Sequence, residues 1–148
     1  MNRDTIINTI SDLGIHSPNV VSWNDDNYGC FSREFIYNEF TTRLRELRKT
    51  DKIRYERNAW ACNASAAHAQ IVAKLLWLHD SKRTKETAPV VLQFGFSPRT
   101  GPPDHCILLF LVADKKTQNP VPFFYDPQLC KQVFLTNPEI KSCTFLQP

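Results

Sequence analysis

Apolar positions recur at helical spacing in three stretches and as continuous β-rich runs in three more, with turn residues between them. Residues 4–13 place Ile6, Ile7, Ile10 and Leu13 along one face behind Asp4, which predicts a short helix. A second helix is predicted to open at Ser32, with Phe35, Ile36, Phe40, Leu44 and Leu47 on its apolar face. The clearest helix covers residues 63–79. Alanines stand at 64, 66, 67 and 69, followed by Ile71, Val72, Leu75, Leu76 and Leu78, with no Gly or Pro. Such a run predicts a central helix packed on a sheet.

Three strands are predicted downstream, at residues 90–96, 106–112 and 121–125. SPRTGPPD and DKKTQNP connect them and are dense in turn formers. Residues 17–29 read as loop, 80–87 as a polar helix stop, and the tail near Phe145 as a further edge strand. The aromatics Phe94, Phe96, Phe110, Phe123, Phe124 and Tyr125 sit among aliphatic residues, so they are predicted to be core rather than base-stacking groups. The pattern as a whole predicts an α+β fold with a small antiparallel sheet.

Composition narrows the function. The chain has 148 residues, enough for one domain with a real core. A hydrophobic fraction of 42% with 22% charged residues suits a globular chain rather than a disordered one. The net charge of +3 is too small to predict nucleic-acid binding. Arg43, Arg45, Arg48 and Lys49 make the second helix basic. Glu39, Glu46, Asp51 and Glu56 interrupt the run, so a solvated face with local ion pairs is expected. No apolar run reaches the roughly 20 residues of a membrane span, and the N-terminus does not read as a signal peptide. Five cysteines without framework spacing predict reduced thiols in a cytosol-like compartment. Four glycines leave little material for a phosphate loop, and adjacent His105-Cys106 lacks a metal-ligand spacing; no cofactor or metal is expected.

The candidate chemistry lies in Cys62, His105 and Asp126. Cys62 stands at the head of the alanine-rich helix, where unpaired backbone N–H groups and the helix dipole favour a thiolate. The same N–H groups suit an oxyanion. If the last two strong strands form a hairpin across DKKTQNP, His105 and Asp126 lie equidistant from its loop, at the open end. A carboxylate there orients one imidazole nitrogen and leaves the other for the thiol. Asp104 is predicted to point away from its neighbour His105. His68 projects about 120° from Cys62 around the helix. Loop residues 97–103 are expected to border the cleft, and a second oxyanion donor is sought in residues 57–60.

Three stretches carry a family resemblance: Trp60-Ala61-Cys62 before the alanine-rich helix, Asp104-His105-Cys106-Ile107, and Phe124-Tyr125-Asp126-Pro127-Gln128-Leu129. This order resembles the papain-like and transglutaminase-like cysteine superfamily, and more narrowly its protein-glutaminase (protein-glutamine deamidase) branch, which includes bacterial effector and toxin domains. The resemblance spans roughly residues 58–130. It implies a papain-like fold, Cys62 as nucleophile, His105 as general base and acid, and Asp126 as orienting carboxylate. It also implies a glutamine-containing protein as substrate and a thioester intermediate.

The expected organisation is a single domain, 1–148. Residues 1–57 form a mainly helical part, 58–130 the catalytic core and 131–148 a tail. A cytoplasmic protein, or one delivered into a host cytosol, fits these features. The same chemistry also serves a peptidase or a transglutaminase. A non-catalytic binding module with a buried Cys62 is the reading from a different class.

Overall fold

A computed structural model describes residues 1–15, 27–52, 61–80, 87–101 and 104–148. The expectations for residues 17–26, 57–60, 81–86 and 102–103 lie outside the described residues. The fold is α+β, with a five-stranded antiparallel sheet and helices on both of its faces.

In chain order the elements are α1 (Arg3–Asp12), α2 (Thr41–Thr50), α3 (Cys62–Leu78), β1 (Val91–Phe96), β2 (His105–Ala113), β3 (Pro120–Asp126), β4 (Lys131–Gln132), α4 (Asn137–Lys141) and β5 (Phe145–Gln147). The strands are ordered β4-β3-β2-β1-β5, so the apolar run of β2 is central. The edge strand expected near Phe145 pairs with β1. Neither β4 nor α4 is legible in the hydrophobic pattern, since each is very short. A capping box on Thr136 and Glu139 starts α4.

Strand alternation distributes β2 between two cores. Cys106, Leu108, Phe110 and Val112 pack with Ala66, Ala69, Val72 and Ala73 of α3 and with Phe40 and Leu44. Ile107, Leu109 and Leu111 face the opposite side, with Ile6 and Ile10 of α1. The six aromatics expected in the core are all buried.

The second helix differs from a simple α-helix. Ser32 Oγ accepts from the Phe35 N–H at its start, and residues Phe35–Phe40 then form a wider π-helical turn before α2. The turn carries Thr41 to Tyr125. Thr41 Oγ1 donates to the Ile36 carbonyl at 2.7 Å and lies 2.9 Å from the Tyr125 hydroxyl, pinning the end of β3.

A buried amide pair fixes α3 on the sheet. Gln93 Nε2 donates to Gln70 Oε1 at 3.0 Å, and Gln70 Nε2 donates to the carbonyls of Val91 and Gln147. The helix that begins with Cys62 is thereby held to β1 and β5.

Burial pushes the Cys106 thiol up to about 12 from an ordinary value of 9.0, with Cys62 nearby adding to the shift. Burial also raises Cys143, to about 11. Between pH 9 and 11 the unfolded chain therefore loses these protons while the folded chain keeps them. Their stabilising contribution is complete below pH 9 and is lost as pH rises, at about 1.4 kcal/mol per pH unit for a single group such as Cys106. Urea midpoints are expected to fall steadily over this window, and Cys106→Ala should flatten the slope.

Candidate active site

The site lies where α3 begins and where β2 begins and β3 ends. The N-cap of α3 is Ala61, which has an extended backbone and no side-chain cap. By contrast, α1 and α4 are capped by the side chains of Asn2 and Thr136. An alanine cap offers no side-chain acceptor to the Cys62 and Asn63 N–H groups, while Asn63 Oδ1 accepts from the Ala64 N–H at 2.9 Å. Cys62, the first residue of the helix, is half-buried.

His105 Nε2 and Asp126 Oδ2 are 2.9 Å apart. The side chains are only 16% and 7% exposed, so water screens the pair weakly. Their meeting follows from strand phase. His105 is in phase with Ile107 and Leu109 on β2, and Asp126 with Phe124 on β3, and Leu109 pairs with Phe124.

His105 and Asp126 are not directly opposite but two residues off perfect register, within the residue or two that the hairpin arithmetic allows. Leu108 pairs with Tyr125, so three further steps along each strand set His105 opposite Gln128, and Asp126 reaches it along the diagonal. The cause lies in the hairpin loop. The Asp114 carboxylate accepts from the N–H groups of Lys116 and Thr117, and Ala113 pairs with Pro120, which moves the loop centre one residue onward.

The other carboxylate oxygen is fixed too. Asp126 Oδ1 accepts from the N–H groups of Gln128 at 2.8 Å and Leu129 at 3.2 Å, closing a turn through Pro127. Phe96, opposite His105 on β1, meets the imidazole edge to face at 5.9 Å. The ring is thus held by a carboxylate at Nε2 and an aromatic beside it.

Cys62, His105 and Asp126 line one cavity of about 520 Å³. Pro98 and Thr100 contribute to its wall from the loop expected there, and Asp104 contributes from the exposed side. Gln128 and the exposed Leu129 complete it. His68 is on α3 but does not line this cavity.

The basic helix does more than the sequence predicts. Arg43 does pair with Glu46, at 3.5 Å on the surface. Arg45 is exposed and Arg48 half-buried, and both also reach across to the turn after β3. Arg48 Nη1 donates to the carbonyls of Pro127 at 2.8 Å and Gln128 at 2.6 Å, and lies 3.3 Å from Cys130 Sγ. Arg45 Nη2 donates to the Cys130 carbonyl at 3.2 Å. Carbonyls of a turn that no strand can pair attract these guanidinium groups, an arrangement that spacing along the helix does not reveal. Arg48→Ala is expected to cost about 1.5–3 kcal/mol, the range for charged hydrogen bonds. It should also broaden the backbone signals of residues 126–130 in an NMR spectrum, with Arg48→Lys intermediate.

One polar atom in the cavity wall is unmatched. Gln128 Nε2 is buried and has no hydrogen-bond partner among the described residues. Leaving such a donor unpaired costs about 1–3 kcal/mol.

Among the described residues no helix is long and apolar enough to cross a membrane. No family model and no curated protein matches the sequence. Among solved structures, the chain is similar to one described as "PSL1a-E64 complex", with a TM-score of 0.68 and 13% sequence identity. The match covers 99% of this chain and 50% of that one, so this chain spans half the length of its neighbour. What the two share at that identity is a fold.

Proposed function

We propose that this chain is a papain-like cysteine hydrolase that deamidates glutamine side chains of a target protein. One observation carries the reading: the shielded 2.9 Å contact between His105 and Asp126 lies in the same cavity as a cysteine at an alanine-capped helix start. Asp126 engages Nε2, so Nδ1 is the nitrogen left to take the Cys62 proton. The thiolate attacks the amide carbon. The tetrahedral intermediate then collapses as His105 returns the proton to departing ammonia. Water, deprotonated by the same imidazole, cleaves the thioester to leave glutamate and the free thiol.

The choice of glutamine rests on the sequence resemblance. In this reading residues 58–130 are the core of a single domain, and the thiols of Cys62, Cys106, Cys130 and Cys143, none of them in a disulfide, suit a reducing cytosol, resident or host. A neighbour of similar fold is described as a complex with E64, a thiol-directed epoxide, which makes that reagent a direct probe of this cavity.

Incubation with E64 is expected to add one equivalent, at Cys62, and mass spectrometry of glutamine-rich proteins treated with the enzyme should show amide-to-acid conversion. Chain cleavage would assign a peptidase instead, and cross-linking a transglutaminase. Slow, equal labelling of all five thiols with no product would leave only the binding module.

A further inference from the structure

A protein substrate can present a glutamine to a thiol in a cavity only if the residues beside that glutamine settle on the cavity's rim. The charge of the rim therefore selects among targets. Around this cavity the charges do not balance.

Asp126 is committed. Its Oδ2 meets His105 at 2.9 Å, and its Oδ1 accepts from the N–H groups of Gln128 and Leu129. Asp104 lines the same cavity, but it stands one residue before β2 and is exposed. Among the described residues no hydrogen bond or ion pair engages its carboxylate. Nor does any Lys or Arg among them line the cavity. Arg45 and Arg48 bond carbonyls of the turn at 127–130, and Arg99 lines a separate cavity beside α4. The mouth is thus acidic in a chain whose net charge is +3.

The rim beside this carboxylate is apolar in part. Leu129 is 56% exposed with its backbone N–H held by Asp126, and Pro98 is half-buried. A free carboxylate at the wet edge of apolar carbon suits one class of side chain. A long cationic one covers the carbon with its methylene stem and keeps its charged head in water beside the carboxylate. An anionic one is repelled.

The geometry points to Asp104 as a specificity-determining residue that binds a lysine or arginine flanking the target glutamine in the substrate's own chain, with Leu129 and Pro98 under the stem. This deepens the proposed deamidation and rests on Cys62 as its nucleophile. Asp104 makes and breaks no bond in the reaction. It acts on capture of the substrate, so its effect falls on kcat/KM and is screened by salt.

Peptides that differ only in the residue beside one glutamine, Lys, Ala or Glu, test this by ammonia release. At low salt the wild type is expected to favour the Lys peptide over the Glu peptide about 10-fold in kcat/KM, with Ala between. Asp104→Asn should bring that ratio to within about two-fold of unity, and Asp104→Lys should invert it. Circular dichroism should match the wild type for both variants, because the side chain is exposed. A wild type without preference for the Lys peptide, or a preference that survives in Asp104→Asn, overturns the proposal.

A second measurement needs no glutamine chemistry. Methanethiosulfonates bearing a trimethylammonioethyl or a sulfonatoethyl group modify Cys62: the thiolate attacks the sulfenyl sulfur, a disulfide bond forms, and methanesulfinate leaves with the electron pair. Mass spectrometry of the Cys62 peptide reads each rate, taken relative to the reagent's rate with 2-mercaptoethanol. The cationic reagent is expected to be favoured, and Asp104→Asn should lower the cation-to-anion ratio about five-fold. An unchanged ratio overturns the proposal. A ratio that falls while no peptide releases ammonia locates the failure in the deamidation reading and leaves the cation-selecting mouth standing.

Discussion

Cys62→Ala is expected to abolish ammonia release from glutamine-containing proteins, a fall of about a million-fold that leaves only background. The sulfur forms the bond that becomes the thioester, and no other thiol in the structure can replace it. Cys106 follows His105 directly but is 2% exposed, and its thiol is pushed up to about 12. Cys30, Cys130 and Cys143 do not line the cavity. The fold should be untouched, because alanine is the better helix former and Cys62 is only half-buried at the first helical position. Circular dichroism and the urea midpoint should match the wild type. His105→Ala should lose a comparable factor, and the double variant little more, since the two groups act in the same step. A Cys62→Ala protein that still releases ammonia would remove the enzyme assignment.

Phe110→Ala is expected to be the most destabilising single truncation, at about 3–5 kcal/mol. Phe110 is fully buried at the centre of β2. Its ring meets Phe31 at 5.1 Å, Phe40 at 5.4 Å, Tyr125 at 6.2 Å and Phe123 at 6.5 Å, each edge to face. Truncation would open a cavity bounded by the π-helical turn, α2 and β3, none of which can close in without breaking strand pairing. For a domain that holds about 5–15 kcal/mol in total, this is a large share. A thermal midpoint about 10 °C lower is the expected reading. A loss under 1 kcal/mol would mean that the aromatic cluster is looser than these contacts imply.

Both predictions rest on features of unequal legibility. The length and composition of α3, the apolar run of β2 and the cysteine at the helix start are local, and each declares itself within a few turns or strand residues. The approach of His105 to Asp126 was legible only approximately. Hairpin arithmetic brought them to the same end of the strands, but the Asp114 turn shifted the register by two, and strand phase then restored the contact on the diagonal.

The second helix was read as a solvated basic face, and Arg43, Arg45 and Lys49 are exposed there, but Arg45 and Arg48 also bind the turn at residues 127–130, about 80 positions away. No periodicity encodes that, because the carbonyls they bind belong to an irregular segment with no pattern of its own. The same holds for Gln128. Sequence marked it as part of a motif beside Asp126, but only packing showed its amide to be buried and unmatched.

By itself, then, the order of residues determined which of the longer segments are helix and strand, the α+β class, and the three side chains worth watching. Those depend on short-range periodicity and on chemistry that a residue carries wherever it stands. The strand order β4-β3-β2-β1-β5, the π-helical turn under Tyr125, the arginine clamp and the cavity at the head of α3 were decided by tertiary structure. Each depends on which distant groups are left without partners once the sheet has formed, and that is a property of the packed whole.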